Sequence, residues 1–344
     1  MSDHRAARRG AATIEDVAQR ADVSVATVSR ALRGLPNVAP STRARVEAAA
    51  AELRYRPDPN ASRLAAGRTN AIGVALPILG GWYFAQILAG VEAVLAAAGY
   101  DLLVYGAAGP EDRRRFLSDV VSAHKRVDGL LLVDIHLPEE GAAAWASSGV
   151  CLVTIGTTIE GFPSVTIDDR SGAAAAVRHL LDLGHRAIAL IDGLGPDPFH
   201  FTVPQLRQDG YRDALAERRV TPRGEHIVPG LFTVDGGRAA MDRLLDLADP
   251  PTAVFAASDE MAIGAMQSVR ARGLSVPDDV SIVGFDDHDL AAAVGLTTIR
   301  QPVVAIGGRA ATLLLAALGS GSPSDEQVTF PTELIVREST AALG

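Results

Sequence analysis

The residues of this 344-residue chain whose types and spacing best suit chemistry are those of recognition. In TIEDVAQRADVSVATVSRALRG, which starts at Thr13, a helix beginning after Ser24 keeps Val28 and Leu32 inward and turns Val25, Ala26, Ser29, Arg30 and Arg33 outward. That outward face can read a duplex. A guanidinium at Arg30 can grip guanine O6 and N7, and Val25 and Ala26 can pack on thymine methyls, with Ser29 completing the face. One good bidentate contact is worth about 1–3 kcal/mol of discrimination. Thr13, Ser24, Thr27 and Arg33 are candidates for phosphate contacts, which position a protein without reading sequence. Taken alone, the segment could equally be a helical hairpin with a solvated arginine face.

Bond-making chemistry has far less support. No G-x-G-x-x-G follows the first apolar strand, and G-x-x-x-x-G-K-[ST], G-x-S-x-G and H-E-x-x-H are all absent. The eight His residues show no metal-ligand spacing. The acids of FDDHD, 285–289, could hold a cation, but surface acids of this kind are usually solvated. An enzyme is not expected, nor a cofactor or a bound metal. The single cysteine, Cys151 in GVCLVTI, excludes an internal disulfide and is expected to be a buried small hydrophobe.

The elements that must position the reading face are legible around it. Ile14, Val17, Ala18 and Ala21 form the stripe of a first short helix, with Thr13 and Asp16 as a capping box. Asp22 supplies the turn, since Asp tolerates the left-handed conformation better than most residues. Pro40 starts a third helix with Val46, Ala49, Ala50 and Leu53 inward. Charge supports the division. Residues 1–68 hold 12 Arg against 7 acids, and the remainder holds 20 basic against 34 acidic residues, so a basic head precedes an acidic body.

Beyond residue 70, the runs AIGVAL, DLLVY, GLLLVDI, CLVTI, AIALID, TAVFAA and VSIVGF alternate with helical patterns, which implies parallel doubly wound sheets. There are too many strands for one small sheet. Two α/β lobes with a ligand cleft at the carboxyl ends of their strands are expected. Only 16 of the 344 residues are aromatic, yet Trp82, Tyr83 and Phe84 stand in a row after Gly80 and Gly81. Phe84 is in register with Ile87 and Val91 and is expected in the core; Trp82 and Tyr83 are expected to face ligand. No run approaches the roughly 18 apolar residues of a membrane helix, and the first 15 residues lack a signal-peptide core, so a cytoplasmic location is expected.

From Thr13 to Gly73 the chain resembles the LacI/GalR family of transcriptional regulators, in TIEDVAQRADVSVATVSRAL, VEAAAAELRYRP and ASRLAAGRTNAIGV. The resemblance continues through VTIDDRSGAAAAVRHLLDLGHRAIALI, RQDGYRDAL, ASDEMAIGAM, VSIVGFDD, LTTIRQP and PTELIVREST. It implies a helix-turn-helix head at 1–58, a hinge helix and linker at 59–70, and a periplasmic-binding-protein-like effector and dimerisation domain at 71–344. By that resemblance lobe 1 comprises about 71–163 plus 297–325, and lobe 2 about 164–296 plus 326–344. The stretch 60–66 would become helical on operator DNA, with Ala61, Arg63 and Leu64 in the minor groove and Leu64 as the kinking wedge. A seven-residue helix is marginal alone, so its folding would be coupled to binding. Arg207, three residues before Gly210-Tyr211, and Asp286, the first acid after VGF, match family effector contacts. Ser258, Gln301 and Thr157 complete the implied set, with Trp82 and Tyr83. Three departures stand out: Ala39 lies where relatives often cap the third helix, Asp58-Pro59 precedes the hinge, and Trp82 replaces a proline.

The resulting expectation is a homodimeric regulator, in the usual case a repressor, on a near-palindromic operator, controlled by a small effector. A carbohydrate suits an aromatic face opposite Arg and Asp, as would a nucleobase. A sugar-binding transport receptor is the alternative from another class; it would require export.

Overall fold

The computed structural model describes residues 12–55, 69–107, 111, 126–137, 139–193, 202–320 and 325–344. The hinge candidates Ala61, Arg63 and Leu64 lie outside them. The chain divides into two compact units, Met1–Thr69 and Asn70–Gly344.

In the first unit, α1 (Ile14–Ala21), α2 (Val25–Leu32) and α3 (Pro40–Glu52) enclose Val17, Ala18, Ala21, Val28, Ala31, Val46, Ala49 and Ala50. The capping box forms as expected: the Asp16 amide donates to Thr13 Oγ1 at 3.3 Å, and the Thr13 amide donates to Asp16 Oδ2 at 2.9 Å. Asp22 ends α1 at φ 51°, in the left-handed region. Ser24 caps α2 by accepting from the Thr27 amide at 3.2 Å. Ala39 gives α3 no side-chain cap, and Pro40, which lacks the N–H that would otherwise need one, occupies the first position. Arg20 of α1 pairs with Glu52 of α3 at 2.6 Å on the surface.

The second unit contains two six-stranded sheets. The first uses β1 (Ala71–Leu76), β2 (Asp101–Gly106), β3 (Gly129–Val133), β4 (Cys151–Ile155), β5 (Ser164–Ile167) and β11 (Gln327–Phe330), in the order β11-β5-β4-β3-β1-β2, all parallel. The second uses β6 (Ile188–Asp192), β7 (Ile227–Pro229), β8 (Ala253–Ala256), β9 (Ser281–Asp286), β10 (Thr297–Arg300) and β12 (Glu333–Ile335), in the order β12-β10-β9-β8-β6-β7. Only the β10–β12 pair is antiparallel. Every residue of β1, β3, β6, β8 and β9 is buried, as in parallel sheets covered on both faces.

Three expected boundaries move. β5 and β11 belong to the first sheet and β10 to the second, so the chain recrosses after Arg300, not before Thr297. The physical reason is pairing: Thr297 to Arg300 lie in register with Val283 to Asp286, which extends the second sheet.

Among the described residues of this unit the α-helices are α4 (Trp82–Ala97), α5 (Glu139–Ser148), α6 (Asp169–Asp182), α7 (Thr202–Glu217), α8 (Val234–Leu245), α9 (Asp259–Ala271) and α10 (Val303–Ser320). The expectation that no segment reaches membrane-spanning length and hydropathy does not hold for α10. Its apolar residues have another use: Ile306, Ala310, Ala311 and Leu314 are buried in the core of the first sheet. Its Gly307 approaches the backbone of α4 at Ile87, and Gly90 of α4 approaches Val304, so closely that neither glycine leaves room for a Cβ. Cys151 is free and half-buried, with its thiol pushed up by burial.

Candidate functional site

The outward face of α2 is assembled as its sequence suggests. Val25, Ala26, Arg30 and Arg33 are exposed and Ser29 is half-buried. Arg33 folds back along the helix, donating from Nη2 to Ser29 Oγ at 2.9 Å and from Nε to Ser29 O at 3.2 Å, which ties Ser29 to its neighbour. Ser24 and Thr27 share a hydroxyl contact of 2.9 Å at the start of the helix. The Arg30 guanidinium makes no ion pair or hydrogen bond among the described residues and is available to an external acceptor.

In the second unit, a cleft of about 360 Å³ opens where the parallel strands end. The loop after β1 brings Ile78 to Gly81 and the start of α4; β3 is followed by Asp134, β4 by Gly156, β5 by Asp169, β8 by Ser258, and β10 by Gln301, while β9 ends on Asp286. Carboxyl ends of strands in an open α/β sheet are where ligands bind, because the strand order leaves a crevice there.

Arg207 on α7 is the centre of this site. It is buried, its Nε donates to Asp169 Oδ1 at 2.8 Å, and its Nη1 donates to Ala257 O at 2.6 Å. Asp286 Oδ1 stands 3.7 Å from Nη1, and the guanidinium lies 3.6 Å over the Phe285 ring. Burial works against the Arg207 charge, but Asp169 and Asp286 outweigh it and raise its pKa. Asp286 accepts from Gln301 Nε2 at 2.6 Å and holds a backbone φ of 126°, an unusual conformation for a non-glycine residue and one that turns the chain at the strand end. Burial raises the pKa of Asp286, and Arg207 offsets only part of that rise.

Across the cleft, Asp134 is pushed up to about 7, chiefly by burial and then by the charge of Asp169, although Arg207 and a hydrogen bond with Tyr83 oppose this. Burial also raises the Tyr83 hydroxyl well above the ordinary phenol range. Gly156, at φ 75°, lies so close to Asp134 that a Cβ would overlap its carboxyl. The two lobes touch at the cleft rim: the Trp82 amide donates to Glu260 Oε1 at 3.3 Å, and the Trp82 and His288 rings lie 4.9 Å apart.

Trp82, Tyr83, Arg207, Ser258, Asp286 and Gln301 thus line one cleft. Two expectations are corrected. Thr157 is buried and does not line the cleft; Gly156 takes its place, because the turn after β4 carries the chain past the opening one residue earlier. Phe84 is not purely core: it packs against the core of the first sheet, meets Tyr83 edge-on at 5.2 Å, and also lines the cleft. Ser258 has a local task too, capping α9 by accepting from the Met261 amide at 3.3 Å. The FDDHD acids have protein partners: Asp287 accepts from Arg300 and Arg337, each at 2.6 Å. Among the described residues no group of His, Cys, Asp or Glu is placed to hold a metal.

Comparison with known proteins settles the family. Residues 13–58 match the bacterial regulatory proteins of the lacI family, and residues 177–340 match a periplasmic binding protein-like domain. The chain is 35% identical to catabolite control protein A of Priestia megaterium over 333 residues, which cover 95% of this chain and 99% of that one. It is 37% identical to the transcriptional repressor CytR of Escherichia coli over 338 residues, covering 97% of each. The chain belongs to the LacI family. It is a DNA-binding transcriptional regulator, with a helix-turn-helix head and a two-sheet α/β body. Among solved structures, the lac repressor dimer bound to operator and the anti-inducer ONPF superposes with a TM-score of 0.84 at 30% identity, covering 97% of this chain and all of that one. A CelR–cellobiose complex gives a TM-score of 0.69 at 32% identity, covering 95% and 99%.

Asp134, Asp169 and Glu260 also line the cleft and were not singled out from sequence. Asp134 and Asp169 had a signal: each is an acid ending or directly following an apolar strand run, where a side chain enters the cleft. Glu260, inside DEMAIG, had none.

Proposed function

We propose that this regulator binds a near-palindromic operator as a homodimer and represses transcription in the cytoplasm, with a small carbohydrate in the cleft setting its DNA affinity. Val25, Ala26, Ser29 and Arg30 read bases, and Thr13, Ser24, Thr27 and Arg33 hold phosphates. Ala61, Arg63 and Leu64 occupy the minor groove. One head contacts too few bases for useful specificity, whereas two-fold symmetry matches two half-sites. Lobe closure on the effector and operator binding are then reciprocally linked.

The observation that carries the effector reading is the cleft itself. It sets the aromatic side chains of Trp82, Tyr83 and Phe84 against the polar group of Arg207, Asp286 and Gln301. Sugars need both, an apolar wall for C–H groups and fixed hydrogen-bonding partners for hydroxyls. The cellobiose complex and a LacI-family regulator with bound ribose, at a TM-score of 0.70 and 28% identity, support the same class.

Arg30→Ala tests the DNA half. Operator preference over random duplex should fall by about 1–3 kcal/mol; unchanged discrimination would remove Arg30 from the reading face.

A further inference from the structure

We propose that the cleft accepts an uncharged polyhydroxylated ligand and rejects phosphorylated or carboxylated forms of it. This rests on the carbohydrate reading and narrows it. Among the described residues lining the cleft, Arg207 is the only basic side chain, against Asp134, Asp169, Glu260 and Asp286. Its charge is already engaged at 2.8 Å by Asp169, and both partners are buried. An entering anion could reach only the Nη2 of a guanidinium whose charge Asp169 already offsets, and would do so among further carboxylates where little water screens them, which is unfavourable. Nη2 of Arg207 donates to nothing among the described residues and can serve a hydroxyl.

Two orphaned atoms specify what should enter. Asp134 Oδ1 and Trp82 Nε1 are buried without a hydrogen-bond partner among the described residues. The first is an acceptor and the second a donor. Gly156, which has no side chain to offer, faces the Asp134 carboxyl and has no room for a Cβ. Buried polar groups left unpaired are costly, so a water or a ligand hydroxyl that reached these two atoms would be held there. A hydroxyl both donates and accepts, so a polyol meets both needs. Above pH 7, where Asp134 is ionised, an ionised phosphate or carboxylate oxygen has no proton for its Oδ1.

The test uses the full-length protein and matched probes: neutral mono- and disaccharides, the corresponding sugar phosphates and uronates, and nucleosides with their monophosphates. Thermal shift screens them and calorimetry measures each hit. A neutral sugar should bind, with its phosphate and uronate weaker by about tenfold or more. Measured at about pH 8.5, where Asp134 is ionised, Asp134→Asn keeps shape, removes one negative charge and should narrow that gap by about tenfold. An anionic form binding as tightly as its neutral mate, or no neutral compound binding at all, overturns the proposal. An unchanged gap in Asp134→Asn overturns the part given to Asp134. A nucleoside that binds while its monophosphate does not would retire the carbohydrate reading and uphold the rejection of anions.

Discussion

Replacing Arg207 should destabilise the body, and the geometry gives the size of the effect. The guanidinium and the Asp169 carboxylate are 6% and 4% exposed and 2.8 Å apart, so removing one leaves the other charged and dry. Breaking a buried pair in this way costs about 3–5 kcal/mol. For a unit of this size that corresponds to a fall in Tm of roughly 6–20 °C. Arg207→Met keeps much of the apolar stem and removes the guanidinium, with its pairing to Asp169 and its contact over the Phe285 ring. Asp169→Asn removes the stranded charge, so the double variant should recover about 1–3 kcal/mol relative to the sum of the single losses. Chemical denaturation of the four proteins, with effector binding measured on each, completes the cycle. Additive losses within about 0.5 kcal/mol would show that the pair is not coupled, and the account of how Arg207 is held would be wrong. Operator binding by folded Arg207→Met should survive while the effector response disappears. A collapse of both would make the residue structural alone.

Two further outcomes follow from the cleft. Gly156→Ala would strain a left-handed position and press a methyl into Asp134, so stability should drop by more than about 1 kcal/mol and effector binding should be lost; near-normal binding would show that the turn can yield. The pH dependence has a definite sign. Asp134 ionises near 3.8 when free and at about 7 when folded, so its contribution to stability is fully present below about 4 and is lost as pH rises through 7. His179 and His185, kept neutral by burial, act oppositely, and their contribution is complete once pH passes about 6.5. Between pH 6.5 and 8.5 the Tm of the full chain should therefore fall, and fall less in Asp134→Asn; parallel curves would place the titrating group elsewhere.

Local structure was legible wherever one stretch of chain contained its own cause. The Thr13–Asp16 box, the left-handed Asp22 and the cap at Ser24 each depend on neighbours within a turn, and each is present. Long buried strands such as AIGVAL were equally plain. Short strands were not: β5, β7, β10, β11 and β12 have three or four residues each, and only pairing with a neighbour makes them strands. That is why the crossover was expected before Thr297. In the cleft, the family resemblance singled out Arg207 and Asp286, but the pairing of Arg207 with Asp169, 38 residues away, depends on the packing of α7 against α6. The same holds for Thr157 and Gly156: sequence located the turn but not which of two adjacent residues meets the opening.

Control of the sequence-specific basic head by a small ligand in the acidic body is the proposed function. Its most direct measurement is selection of duplexes from a random pool by the full-length protein, followed by affinity measurements on the selected duplex with and without a neutral sugar identified by calorimetry. Selection should enrich an inverted repeat, and ligand should shift the affinity several-fold in one direction, a shift that disappears in Arg207→Met. Enrichment of no symmetric site, or an operator affinity indifferent to a ligand that saturates the cleft, would contradict it.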